Sequence, residues 1–188
     1  MTQSLWFASR ACGLVALVLL TGVVVLGALH TGRASSAAWP RFVLHAVHRN
    51  LALLAVVFVA VHVATSIIDP YAGIRWIDAV VPFASSYQPF WTGLGAASGD
   101  LLLALVATSL VRTRLPLRLW RGLHLAAYGL WPVAFVHGLG SGGADSTRGW
   151  VLVVDAGCAL AVVVAVALRL RARHPDTDAR RAAEESLR

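Results

Sequence analysis

Four of the seven histidines in this 188-residue chain, His48, His62, His124 and His137, lie inside or at the ends of long apolar stretches. An imidazole can act as a base, titrate near neutral pH or bind a metal. Placing one in hydrocarbon requires a partner. Taken singly, each would be read as a hydrogen-bonded core residue. Their spacing changes that reading.

His48 and His62 are fourteen positions apart and His124 and His137 thirteen, which on helices correspond to rises of about 21 and 20 Å. The stretches that carry them run in the same direction through the expected bundle. His48 can therefore face His124 at one depth and His62 can face His137 at another. Two cross-helix pairs at matched depths suit two stacked metal centres of bis-histidine haem type. Structural histidines, and proton or metal-ion transport without haem, are the competing readings. At 100° per residue His62 returns to within about 40° of His48, but His137 falls about 140° from His124. Pro132 lies between the latter two and is expected to supply the change of phase.

Other residues carry weaker signals. His45 is the rival to His48, but its seventeen positions to His62 put it on another face. His30 and His174 fall near helix ends, where a solvated role is expected. Trp131 lies midway between His124 and His137, as core packing or as a ring between two cofactors. Asp100 and Asp155 sit a short way into apolar segments, where an acid is a functional candidate by default. Gly138, Gly140 and Gly143 give a formal G-x-G-x-x-G match, expected to be spurious because the strand and soluble βαβ context are lacking. Cys12 and Cys158 are expected at different depths, with no disulfide between them.

The elements that must position these residues are membrane helices. The chain is 58% hydrophobic and only 13% charged, against roughly 25% charged in soluble domains. Five segments approach the roughly 20 apolar residues a span needs: Cys12 to Leu29, Leu44 to Ile68, Gly95 to Val111, Leu119 to Val136 and Trp150 to Leu168. An all-α, five-helix transmembrane bundle is expected, with an uncleaved first helix preferred over a signal peptide. The formal charge of +7 comes from arginine alone, set between or after the apolar runs, so no nucleic-acid partner is expected.

Arginine collects in cytoplasmic loops. Arg33, Arg41 and Arg49 flank the first connection, Arg112, Arg114, Arg118 and Arg121 the third, and Arg169, Arg171, Arg173, Arg180 and Arg181 follow the last helix. These regions are expected in the cytoplasm, with the N-terminus outside. Only Arg10 argues against that orientation. Trp6, Trp39, Trp91, Trp120 and Trp150 fall near helix ends, where indoles sit at headgroups. The connection from Asp69 to Leu94 is expected to fold over the outer face. Residues 1–173 form the membrane domain and 174–188 a short polar tail.

Three stretches then carry a family resemblance: HRNLALLAVVFVAVH, PFASSYQPFWTGLGAASGDLLLALVATSLVR and LWRGLHLAAYGLWPVAFVHGLGSG. Together they resemble the ferric reductase-like transmembrane domain, the family that includes the haem-carrying part of NADPH oxidases. The likeness runs from about Cys12 to Leu168. It implies two haems b, one between His48 and His124 and one between His62 and His137. The commoner plan of that family has six helices, of which the first is expected to be missing.

Iron held by two histidines has no open coordination position, which suits electron transfer. Electrons would enter at the cytoplasmic pair and leave from the outer pair to an external acceptor. Arg49 and Arg121, beside the inner ligands, are candidates to hold haem propionates, or are ordinary cytoplasmic-side arginines. The chain is expected to lack its own flavin or nicotinamide domain. The donor is then a separate cytoplasmic reductase, a flavin bound at the cytoplasmic face, or a quinol. Ferric iron, oxygen or a partner protein is the acceptor. A haem-binding membrane partner of an external methionine sulfoxide reductase, a haem-free ion transporter and a membrane anchor are the alternatives. Multi-pass insertion in the plasma membrane is expected.

Overall fold

The computed structural model describes residues 2–31 and 40–171. The expected tail at 174–188, His174, Trp39 and arginines 33, 173, 180 and 181 lie outside them, as do the side chains of His30 and Arg41. Six α-helices make up the described chain: α1 (Thr2–Thr31), α2 (Arg41–Ile68), α3 (Pro89–Leu110), α4 (Leu117–His124), α5 (Ala127–Ser141) and α6 (Gly149–Arg171). Four of them contain stretches long and apolar enough to cross a bilayer, Ser4–Leu29, Phe42–Ile68, Pro89–Leu110 and Gly149–Arg171. The protein is a multi-pass membrane protein.

Prolines set several helix starts. Pro40 precedes α2, Pro89 opens α3 and Pro116 precedes α4. A proline there loses no helical hydrogen bond, because the first N–H groups have no partner inside the helix. The helices α1, α2 and α3 begin up to ten residues earlier than hydropathy alone indicates. The residues added at these starts include the polar or aromatic Thr2, Gln3, Arg41, Phe90 and Trp91.

The expected fourth helix, Leu119 to Val136, requires correction. It is broken at Leu125–Ala126 into α4 and α5, and neither piece has the length of a span. The backbone tightens there. Leu125 N bonds Gly122 O, Ala126 N bonds Leu123 O, Tyr128 N bonds Leu125 O and Gly129 N bonds Ala126 O, all at 2.9–3.2 Å. Such i→i+3 closures wind at 3.0 residues per turn, not 3.6, so each adds about 20° of rotation. Leu125 N also bonds Arg121 O at 3.1 Å, and the other three closures recover about 60° of the 140° mismatch between His124 and His137. Pro132 lies inside α5, beyond the break.

Helix α1 is the centre of the bundle and packs on α2, α5 and α6, while α3 packs on α5. Leu17, Leu20 and Val24 of α1 meet Ala55 of α2, Leu130 and Trp131 of α5, and Cys158 and Val162 of α6. Trp131 is 6% exposed. Its indole N–H donates to Thr21 Oγ1 at 2.9 Å, and Thr21 in turn donates to Leu17 O. Phe135 stacks on the same ring. The outward faces remain apolar, with Leu53, Val57, Leu103, Leu160 and Val163 all exposed, as lipid-facing positions are. Both cysteines are free thiols.

The connection between α2 and α3 lies against one end of the bundle. A 3-10 turn at Trp76–Ala79 packs on α3, and Tyr71 meets Trp6 of α1 edge-on at 5.3 Å. Asp78 is buried, and its carboxylate accepts from the Arg75 guanidinium at 2.8 Å and from Arg75 N at 2.9 Å. Those bonds hold the Asp78 carboxyl below the usual carboxylate range, against the opposing effect of burial.

Candidate cofactor site

The structure brings the four histidines together as two pairs. His48 of α2 faces His124 of α4 with ring centroids 6.3 Å apart, and His62 of α2 faces His137 of α5 at 6.2 Å. A metal–imidazole bond of roughly 2 Å plus about 1.1 Å from nitrogen to ring centre, taken twice, gives about 6.2 Å. Each pair therefore has the separation of two imidazoles on opposite sides of one metal. Helix α2 packs chiefly on α1.

Backbone carbonyls turn these rings. His62 Nδ1 donates to Ser9 O at 2.7 Å, His137 Nδ1 to Trp91 O at 2.8 Å and His48 Nδ1 to Val23 O at 3.1 Å. With Nδ1 committed as a donor, Nε2 keeps its lone pair for a metal. Glycines make room for the rings. A Cβ on Gly13 would lie 3.0 Å from His62 Nδ1, one on Gly27 3.5 Å from His48 Cε1, and one on Gly95 2.6 Å from His137 Cε1.

A cavity of about 520 Å³ adjoins the second pair, lined by His62, His137, Gly13, Gly95, Leu102 and Ala134 among others. That volume lies within the roughly 300–1,000 Å³ of cofactor and ligand pockets. No group of three or more His, Cys, Asp or Glu side chains positioned to hold a metal ion occurs among the described residues. Two facing imidazoles in each pair, glycines against three of the rings and the cavity beside His62 and His137 would suit a planar macrocycle that brings the remaining donors to its own metal.

The other expected residues differ in exposure. His45, Arg49 and Arg121 are exposed, and Asp100 is half-buried on α3. Asp155 is buried and lines the cavity. Gly138 and Gly140 belong to α5 and Gly143 to a 3-10 turn, with no strand among the described residues. The fingerprint therefore lacks its context. Gly140 serves packing, because the Trp91 ring occupies the space of its missing side chain.

A match to a family model completes the picture. Residues 12–135, two-thirds of the chain, match the ferric reductase like transmembrane component. The chain belongs to the ferric reductase-like transmembrane family. The matched region contains His48, His62 and His124 and stops two residues before His137. No curated protein and no solved structure matches the chain.

Sequence reasoning missed the supporting residues of this family member. Gly13 and Gly27 are fourteen positions apart, like His48 and His62 on the antiparallel neighbour, and that equality was available in the sequence. Arg10, read as a topological exception, is a structural tie. Its guanidinium donates to Gly142 O and, at 3.1 Å, to Ser141 O, lies 3.9 Å from Asp145 and covers the Trp6 ring at 4.0 Å. An arginine isolated in an apolar helix was the signal.

Proposed function

We propose that the chain carries electrons across the bilayer through two haems b, one between His48 and His124 and one between His62 and His137. The observation that carries this reading is the matched 6.3 and 6.2 Å spacing of the two imidazole pairs. Family membership supports transmembrane electron transfer in general. Held by these histidines, a haem b would supply reversible one-electron exchange.

The chain's own residues do the positioning. Ser9, Val23 and Trp91 fix the tautomer and plane of three imidazoles through their carbonyls. The tightened backbone after His124 rotates α5 so that His124 and His137 both turn toward α2. Trp131, bonded to Thr21, fills the core at mid-depth between the pairs.

The orientation we infer puts the His48–His124 pair on the cytoplasmic side. Arg49, Arg112, Arg114, Arg118 and Arg121 lie toward that end, whereas the three ion pairs among the described residues lie at the other. Arg10 and Arg148 share Asp145, and Arg75 pairs with Asp78. Five arginines thus lie toward the inferred cytoplasmic end and three toward the other, the direction of bias that the positive-inside rule describes. The donor is a separate cytoplasmic reductase, a bound flavin or a quinol, and the acceptor is ferric iron, oxygen or an external partner protein such as a reductase. Arg49 and Arg121 remain our candidates for cytoplasmic-side propionate contacts, and the plasma membrane for the location.

Reduced-minus-oxidised absorption with pyridine haemochrome quantification of the purified chain tests the proposal. Two low-spin haems b per chain support it. A folded but colourless protein contradicts it.

A further inference from the structure

Three of the four imidazoles are anchored by one repeated device. The carbonyl that accepts the Nδ1 proton, of Ser9, Trp91 or Val23, lies four residues before a glycine, Gly13, Gly95 or Gly27, and the imidazole rests against that glycine. In an α-helix the same carbonyl already accepts the N–H of residue i+4, here the glycine itself. The missing Cβ opens the side from which an imidazole reaches the carbonyl's second lone pair.

His124 departs from this pattern. Its Nδ1 is enclosed with no hydrogen-bond partner, and so is Nε1 of Trp120, on which it stacks at 5.0 Å. The sequence has no glycine between Gly99 and Gly122, so the corresponding half of α3 cannot offer the device. Fourteen positions after Gly95 stands Ser109, and beside it the Thr108 hydroxyl bonds Ala104 O at 2.8 Å and Leu105 O at 3.1 Å. His124 is also the last residue of the short α4, directly before the break. The His62–His137 pair therefore has two short anchors, whereas in the other pair the Nδ1 of His124 has none.

A metal-bound imidazole that donates Nδ1–H to a carbonyl is a more basic ligand, and a more basic ligand favours the oxidised metal. We infer that His124 is the unanchored ligand, and that the centre it shares with His48 has the higher reduction potential of the two. An electron from the donor then rests on the His48–His124 rung, and passage to the other rung is uphill until an acceptor withdraws it. The inference rests on the haem reading above.

The test is a potentiometric titration of the purified full-length chain, followed by absorption and electron paramagnetic resonance after haem content has been measured. Two one-electron waves are expected, separated by at least tenfold in the reduction equilibrium, about 59 mV. His48→Ala should remove the upper wave and His62→Ala the lower. Gly95→Ala should push His137 off Trp91 O and raise the lower wave, narrowing the gap. Coincident waves in the wild-type chain, or an upper wave lost with His62, overturn the inference and leave the transfer reading intact. A chain with no haem overturns both.

Discussion

The imidazole of His62 lies against Gly13, where a Cβ would stand 3.0 Å from Nδ1, and the same nitrogen donates to Ser9 O one helical turn earlier. Ser9 Oγ adds contacts to the ring at 3.2 Å and to Ser66 Oγ at 2.6 Å. Helix α1 thus acts as a shaped backing that sets the angle of a ligand carried by α2.

A branched side chain at Gly13 should therefore act on one rung only. Gly13→Val is expected to displace His62 and lower haem content by about half, by analogy with the 10–100-fold loss of affinity when outer partners of a metal ligand are removed. Pyridine haemochrome counts would read the loss. Gly22, whose added Cβ would meet only Leu51 Cδ1 at 3.6 Å, is the control, and Gly22→Ala should keep both haems.

The loop over the His62–His137 end should loosen in acid. Arg75 depresses the Asp78 carboxyl, so the stabilisation is complete above the ordinary carboxylate value of about 4 and is lost as pH falls through the lower folded value. Protection of residues 75–80 against hydrogen exchange, taken relative to the intrinsic rate at each pH, should fall below about pH 4. Asp78→Asn should exchange fast throughout and lose this pH dependence. An unchanged acid response in that variant would place the titrating group elsewhere.

Trp131 is a packing residue with a polar tether. Trp131→Ala should destabilise the bundle by about 3–5 kcal/mol. Trp131→Phe should cost less, mainly the Thr21 bond, worth about 1 kcal/mol. Thermal unfolding in detergent distinguishes the two. Equal losses would mean that the tether and the ring volume are not the terms that matter.

The paired histidines were legible because rise per residue is the most regular property of a helix, so fourteen and thirteen positions translate directly into depth. Phase was less legible. Hydropathy averaged over a span passes smoothly through Gly122 to Gly129, and only the backbone bonding shows the tightened turns that divide α4 from α5. The mismatch was attributed to Pro132 because proline is the visible helix-breaker, yet α5 continues through it. Gly13 and Gly27 repeat the His62–His48 interval, an equality that acquires meaning only once α1 packs on α2. Arg10 stands in the sequence as the one charge against the expected orientation, and its bonds to the carbonyls of Ser141 and Gly142 are invisible without the fold that brings α5 beside α1.

The central claim is that these four histidines form two separate two-ligand centres. The most direct measurement is haem stoichiometry across single alanine replacements of His48, His62, His124 and His137, with wild type as reference. The account predicts two haems b in the wild type, and one each in His62→Ala and His137→Ala with the same residual spectrum. His48→Ala and His124→Ala should share the other. Haem content unchanged by any of the four, or residual spectra that pair His48 with His137, would contradict it.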